Sequence, residues 1–200
     1  LLDAMAMRMR RDGQVDLIAD FAAAIPIEVI GNLLGVPRDQ REPLRDWSLA
    51  ILGALEPAPT GEQLARGNRS VTEFLAYLDR LIADRRRKPG DPEKDVLTRL
   101  ILGSADGSKL TEAELLQNCI FILNAGHETT TNLIGNALHA LIEWPEVRTQ
   151  LIAQPELISS AIEEFLRFES SNQLGNRRTT APASIGGVEL PGGTSITLLI

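Results

Sequence analysis

Ala125-Gly126-His127-Glu128-Thr129-Thr130-Thr131 is the stretch that decides the fold, because it falls in the middle of a long apolar helical pattern. Apolar residues flank it, at Phe121 to Leu123 on one side and at Leu133 on the other. A glycine inside a helix costs about 1 kcal/mol relative to alanine, and threonine hydroxyls can bond back to a carbonyl one turn earlier and bend the helix. Broken local rules within a buried element usually mark a functional site. We therefore expect the helix to open here over a flat, reactive group.

The helix that carries this stretch has a recognisable start. Thr111 followed by Glu114 three residues later is the pattern of a capping box, and the apolar periodicity continues to about Glu143. At about 1.5 Å per residue such a helix is close to 50 Å long. It should therefore cross the whole domain.

The rest of the chain predicts a mainly α fold with a small β region. Apolar periodicity predicts helices over 1–11, 19–35 (broken around Pro26), 39–55, 62–88 and 95–102. Pro145 and Pro155 punctuate two further helices, the second of which reaches Phe168. Residues 179–200 are rich in Thr, Ile, Val and Gly, which is typical of strands and turns. We expect one domain over 1–200, mostly helical in 1–168 and strand-rich in 169–200.

Composition excludes several classes of function. A net charge of -7 leaves no basic face for nucleic acid, and no run of about 18 apolar residues indicates a membrane span. The single cysteine, Cys119, cannot form an internal disulfide. The chain begins at Leu1 without an initiator methionine and stops at Ile200 within an apolar run. We therefore expect a piece truncated at both ends.

Two pairs of residues could carry chemistry or support it. Glu128 and Thr129 place an acid beside an alcohol, which suits proton delivery to a group bound against the helix; a water-filled kink would use the same residues. Glu164 and Arg167 are three apart and share a helix face, where they can pair. Taken alone, that second pair is equally typical of a solvated surface ion pair.

Together the motifs resemble a bacterial cytochrome P450, in order along essentially the whole chain. The resemblance rests on the Ala125–Thr130 string, on Glu164-x-x-Arg167 beginning 164 − 129 = 35 residues after Thr129, on Pro26–Pro37 and on Gly186–Thr194. It implies the P450 fold and a haem-thiolate monooxygenase that inserts one atom of O2 into an organic, apolar substrate. It also implies haem (iron protoporphyrin IX) as cofactor, a ferredoxin or flavoprotein electron donor and a cytoplasmic enzyme without nucleic-acid or membrane partners.

The resemblance also implies roles for individual residues. Glu128 and Thr129 would be catalytic, Thr129 by stabilising activated oxygen and Glu128 by relaying protons. Glu164 and Arg167 would be structural. The haem would contact Ala125, Gly126, Thr129, Thr130 and Arg177, the last in preference to Arg178 as the partner of a propionate. Substrate would contact Leu123, Asn124, Asn172, Gln173, Leu174 and Gly175, under a roof near Leu52 and Leu55.

The metal ligand is where this sequence departs from the family pattern. The family's cysteine ligand lies in a glycine-rich loop downstream of the hairpin, so it would fall outside this chain, and the piece alone would be inactive. Cys119 has no glycine loop around it and is expected to be a small core residue. His127 is expected to pack against neighbours, and neither it nor His139 has metal-ligand spacing.

Two other functions stay open at the level of sequence. A peroxide-using haem enzyme of the same fold would keep the long helix but tend to lose the acid–alcohol pair. A non-enzymatic helical binding module would be favoured if the chain folded cooperatively without haem.

Overall fold

The computed structural model describes residues 2–56, 58–103, 107 and 109–200. Within these residues the chain forms eight α-helices followed by four short strands, which confirms the mainly α fold with a small β region. The chain divides into two compact units, Leu1–Gly135 and Asn136–Ile200. The division falls inside the longest helix, whereas the change from helix to strand comes after Phe168. The single domain expected over 1–200 stays a prediction.

The first unit is helical and follows the sequence pattern closely. Its helices are α1 Leu2–Asp12, α2 Ala24–Leu33, α3 Glu42–Gly53, α4 Gly61–Arg87, α5 Val96–Leu102 and most of α6 Glu112–Glu143. A π-helical turn, Ile18–Ala22, precedes α2. Pro26 lies in the first turn of α2, where its missing N–H is not needed by the helix. The expected break therefore lies before Pro26, at the π-helical turn.

Side-chain caps start the two longest helices. The Thr60 hydroxyl accepts from the Gln63 amide at 3.2 Å, and the Gln63 side chain accepts from the Thr60 amide at 2.7 Å. Thr111 and Glu114 make the same reciprocal pair at 3.3 and 2.8 Å, which confirms the capping box predicted for α6. Each pair satisfies two backbone donors that the first helical turn leaves free.

The core of the first unit is built around α4. Phe74, Leu78 and Ile82 are buried there against apolar side chains of the other helices, which are Ile27, Ile30, Leu34, Leu44, Leu97, Leu115, Cys119 and Leu123. The Trp47 ring of α3 stacks on Phe74 with ring centroids 5.2 Å apart. Burial of this apolar surface from water is the main force that holds the helices together.

The basic run at the end of α4 is only partly a solvated helix end. Arg87 is exposed as expected, but Arg85 forms a partly buried ion pair, its Nε 2.9 Å from Oδ2 of Asp95. Arg85 Nη2 also donates to the carbonyl of Gly35 at 2.9 Å. Arg85 therefore ties the end of α4 to the loop after α2 and to the start of α5, contacts that helix periodicity could not reveal.

The second unit contains the end of α6, two more helices and the strands. The helices are α7 Pro145–Ala153 and α8 Ile158–Phe168, and the strands are β1 Leu174–Arg178, β2 Ala183–Ile185, β3 Val188–Leu190 and β4 Ser195–Leu199. β1 pairs with β4 and β2 with β3, both antiparallel. Gly186 and Gly187 link β2 to β3 with φ of 58° and 79°. Both values lie in the left-handed region that glycine adopts most easily, as the predicted turn requires.

Helix α6 runs without interruption through residues 125–131. The Thr129 and Thr131 hydroxyls donate to the carbonyls of Ala125 and His127, at 3.1 and 2.9 Å, so they are satisfied within the helix. The prediction that the helix opens at this stretch is therefore wrong. Tertiary packing compensates for the unfavourable residues, since helix propensity is only a weak preference.

Candidate active site on helix α6

Helix α6 has a buried stripe and an open stripe on opposite faces. The buried stripe repeats every four residues at Leu115, Cys119, Leu123, His127 and Thr131. The open stripe has the same spacing two residues out of phase, and it consists of the exposed Gln117, Phe121, Ala125 and Thr129. Two residues correspond to about 200° of helix rotation, which puts the stripes on opposite sides. The open stripe is the part of this helix that a ligand could contact.

Most of the motif residues lie on or beside the open stripe. Ala125, Thr129 and Thr130 are exposed, and Glu128 is half-buried next to Thr129. Their side chains are small or hydroxylated around Ala125, so a flat group could approach the helix closely there. The arrangement can offer hydroxyl donors and one carboxylate to such a group.

The structure gives Gly126 a different role from the one inferred from the sequence. A Cβ on Gly126 would lie 3.1 Å from Cδ1 and 3.3 Å from Cγ1 of Ile30 on α2. The missing side chain therefore lets α2 pack closely on α6. Its contribution to the open face can come only from its backbone.

Leu123 does not fit the substrate-contacting role expected for it. Its side chain is 0% exposed and belongs to the core cluster of the first unit. It lies on the buried stripe, two residues from the open one, so a ligand on the open stripe cannot reach it. Asn124, the next residue, is half-buried between the two stripes.

Phe121 is a candidate contact residue that the sequence reasoning missed. Its ring is 68% exposed although it is one of the largest apolar side chains in the chain. It lies four residues before Ala125 and eight before Thr129, on the same face of α6. That four-residue spacing was the signal available in the sequence.

His127 packs inside the first unit, as the sequence indicated. It is 2% exposed, and its Nδ1 lies 3.1 Å from Oγ of Ser48 on α3. Burial lowers the pKa of His127, and the positive charge of Arg45 lowers it further. The ring is therefore neutral at pH 7 and lies on the face of α6 opposite Thr129.

Cys119 is the core residue that its surroundings predicted. It is fully buried, and burial raises the pKa of its thiol to about 11. Thiolates are the form that binds metals, so this thiol is poorly suited to that role. Among the described residues, no group of three or more His, Cys, Asp or Glu side chains could hold a metal ion.

In the second unit, Glu164 and Arg167 of α8 pair as their spacing predicted. Two hydrogen bonds join them, from Arg167 Nε and Nη2 to the two carboxylate oxygens, at 2.7 and 2.6 Å. The bond from Arg167 lowers the pKa of Glu164. Glu164 also lines a mainly apolar cleft of about 290 Å³ beside Trp144 and Phe168. Glu164 of the pair thus lines a cleft within this unit.

The remaining predicted residues lie on or just before β1. Asn172, Gln173 and Leu174 are exposed, and Gly175 is half-buried. Arg178 Nε donates to the carbonyl of Gly193 at 3.1 Å, whereas Arg177 donates only to its neighbour Asn176, at 2.9 Å. Arg177 forms no ion pair with another described residue. Each of the two guanidinium groups thus donates to one backbone carbonyl, and the preference for Arg177 over Arg178 stays a prediction.

The chain thus belongs to the class of mainly α proteins with a small β region, with the long α6, the Glu164–Arg167 pair on a later helix and two small antiparallel sheets. The family model described as Cytochrome P450 matches residues 55–200. The chain belongs to the cytochrome P450 family. Haem iron is the cofactor of this family.

Curated bacterial relatives cover nearly all of this chain. The biotin biosynthesis cytochrome P450 of Bacillus subtilis is 35% identical over 187 residues, which are 94% of this chain and 46% of that protein. The vitamin D(3) 25-hydroxylase of Pseudonocardia autotrophica is 36% identical over 199 residues, 99% of this chain and 47% of that protein. The chain thus spans about half the length of these relatives.

Solved structures agree with the family assignment. The structure of P450BioI in complex with an acyl carrier protein ligated to hexadec-9Z-enoic acid matches with a TM-score of 0.89 and 34% identity. The match covers 99% of this chain and 50% of that one. Among the described residues of our chain, no helix is long and apolar enough to cross a membrane.

Proposed function

We propose that this chain is part of a cytochrome P450 monooxygenase that inserts one oxygen atom of O2 into an organic, apolar substrate. The open stripe of α6 is the observation that carries the proposal. It exposes Phe121, Ala125 and Thr129 on a helix whose opposite face is buried at every fourth residue from Leu115 to Thr131. An apolar ring, a small side chain and a hydroxyl in line suit an apolar substrate held beside a reactive, flat cofactor.

The residues available in each unit fit the haem of the family. In the first unit Ala125, Thr129, Thr130 and the backbone of Gly126 would contact its face. In the second unit the exposed Arg177 would bind a propionate, because guanidinium groups bind carboxylates well. When bound, haem supplies the redox-active iron at which dioxygen is activated.

Thr129 and Glu128 would deliver protons during the reaction. The Thr129 hydroxyl donates to the Ala125 carbonyl at 3.1 Å, and rotation about its Cα–Cβ bond can instead direct it to a group on the open stripe. The neighbouring Glu128 is half-buried, so its carboxylate can exchange protons with solvent and pass them toward Thr129. General acid catalysis of this kind contributes typically about 100- to 10,000-fold.

Substrate contacts in the first unit would come from Phe121 and Asn124. Phe121 would cover apolar surface, and Nδ2 of Asn124 would donate to a polar group at the edge of the open stripe, since Oδ1 of Asn124 is buried. In the second unit we propose Asn172, Gln173, Leu174 and Gly175, which are exposed or half-buried. Leu123 is left out of the proposal because it is buried in the core.

Cys119 would not be the axial thiolate, since it is buried with a pKa of about 11. The electron donor of the whole protein would be a ferredoxin or a flavoprotein, as the resemblance to the family implies. Cytoplasmic localisation likewise stays a prediction.

A reduced, carbon-monoxide difference spectrum of the whole protein to which this chain belongs tests the haem-thiolate part of the proposal. A strongly red-shifted Soret band is expected if haem is held by a thiolate. A protein loaded with haem that gives only an unshifted band would contradict it.

Thr129→Ala tests the proton-delivery role. We expect the variant still to bind haem, while more of the electrons consumed end in peroxide than in product. Thr149→Ala is a matched control, because the Thr149 hydroxyl makes the same bond to a carbonyl four residues earlier, at 2.9 Å to Pro145, on α7. Equal coupling of electrons to product in the two variants would refute the role. Product formed from peroxide without any electron donor would favour the peroxide-using alternative.

A further inference from the structure

His127 is a buried polar side chain for which the proposed chemistry has no use. It lies on the buried stripe of α6, opposite the open stripe. Buried polar groups are costly unless they are hydrogen-bonded. Its partners therefore indicate what the side chain does.

The first partner links two helices of the first unit. Nδ1 of His127 lies 3.1 Å from Oγ of Ser48, which is fully buried on α3. Helix α3 packs chiefly on α4, where Trp47 stacks on Phe74. The contact between Ser48 and His127 is thus a buried polar connection from α3 across to α6.

The other side of the ring points to a second partner. Nε2 of His127 and Oδ1 of Asn124 are both buried, and neither has a hydrogen-bond partner among the described residues. The two residues are three apart on α6, so they share one side of the helix. An amide oxygen can only accept, and it therefore complements Nε2 if that nitrogen carries the proton. Nδ1 is then the acceptor of the Ser48 hydroxyl.

We propose that His127 is a positioning residue, neutral and protonated on Nε2, which holds α3 in register on α6 through a buried hydrogen-bond chain. The chain runs from the Ser48 hydroxyl to Nδ1, and from Nε2–H through one bridging water to Oδ1 of Asn124. Buried waters commonly satisfy such pairs of polar groups. Its relevance to catalysis rests on the proposed function: Leu52 at the end of α3, which would roof the substrate, is thereby held relative to Thr129.

The surroundings of His127 keep this arrangement neutral. Arg45 of α3 is the charged group that acts on the ring, and Ile30 of α2, which packs against the adjacent Gly126, is apolar. A positive charge on His127, added to that of Arg45, would lack compensation from these two neighbours. Because the unfolded chain takes up this proton first, acidification below about pH 6.5 should selectively destabilise the folded state.

Nuclear magnetic resonance tests the tautomer directly and needs no haem. The chain has two histidines, so ¹⁵N-histidine labelling with His139→Gln as the assignment variant isolates His127. We expect a proton on Nε2 at pH 7, protected from exchange and with a cross-peak to a bound water. A proton on Nδ1, or a doubly protonated ring at pH 7, would overturn the proposal. The carbon-monoxide spectrum decides the proposed function independently.

Variants test the positioning role. Ser48→Ala should lower the melting temperature by about 5 °C, because it leaves buried Nδ1 without a donor. Ser70→Ala on α4 is the control, since Ser70 is also buried but makes no side-chain hydrogen bond to the described residues. Similar small changes in both variants would count against the chain.

A conservative variant separates positioning from simple packing. In His127→Asn the amide can occupy the place of Nδ1 and keep the Ser48 contact, so it should retain more stability at pH 7 than His127→Leu. It should also lose the part of the stability decrease between pH 6.5 and 5 that His127 causes. If His127→Leu is as stable as His127→Asn, or if the pH profile is unchanged in His127→Asn, the inference fails.

Discussion

Replacement of Leu123 by alanine is the sharpest test of which face of α6 is packed. The Leu123 side chain is 0% exposed, in the core cluster with Leu115 and Cys119. The change removes three carbon groups, worth about 0.8 kcal/mol each, or about 2.4 kcal/mol in transfer free energy. The cavity left in a rigid core raises the expected loss of unfolding free energy to about 3–5 kcal/mol.

Phe121→Ala is the matched control on the same helix. Phe121 is 68% exposed, so its truncation should change the free energy of unfolding by about 0.5 kcal/mol or less, although it removes more carbon atoms. Both variants place an alanine in the helix, so the difference in helix propensity between them is small.

Urea unfolding followed by Trp47 fluorescence measures both effects. Trp47 lies in the first unit, stacked on Phe74, and a Trp144→Phe background removes the signal of the second unit. Linear extrapolation gives the free energy of unfolding in water for each variant. A loss below about 1 kcal/mol for Leu123→Ala, or a larger loss for Phe121→Ala, would refute the assignment of the two faces.

Three further outcomes are expected from the described contacts. Cys119, buried with a pKa of about 11, should resist a thiol reagent at pH 8 in the folded protein and react fully in urea; rapid native labelling would contradict its burial. Arg85→Ala should lower the free energy of unfolding by about 2 kcal/mol, because it removes a partly buried ion pair and a hydrogen bond to a carbonyl. Replacement of the exposed Arg87 by alanine should change this free energy little. Equal losses in the two variants would exclude a special role for Arg85. Gly187→Ala should destabilise the second unit by about 1 kcal/mol, because Gly187 has φ of 79°. Gly192→Ala should not destabilise it, because φ is not positive at Gly192. Hydrogen exchange of the β2–β3 amides measures both effects.

Local patterns made most of the helical architecture predictable. The periodicity of α4 and α6 and the capping boxes at Thr60 and Thr111 are short-range features, since both partners lie within one helical turn. The Glu164–Arg167 pair was predictable for the same reason, because the two residues are three apart on one helix. The string at Ala125–Thr130, with that pair further along, was sufficient to identify the P450 family, which the family model confirms.

Long-range packing limited what could be predicted about the site. The sequence indicated a helix that opens at Gly126, but the structure has a continuous helix, and Ile30 of α2 packs where a side chain at Gly126 would be. The resemblance also placed Leu123 among the substrate contacts, because the sequence around a motif does not show on which face of the helix an apolar residue lies. Only the packing of the other helices decides which face that is.

The sequence by itself was therefore enough for the class of fold and for the resemblance to the P450 family, which implied the haem cofactor, because the motifs that carry them are residue types at fixed positions along the chain. The tertiary structure alone decided that Phe121 rather than Leu123 lies on the open stripe, that Arg85 is paired with Asp95, and that His127 meets Ser48 across 79 residues of chain. These contacts join segments far apart in the chain, and no local pattern records which distant side chains will meet once the core closes.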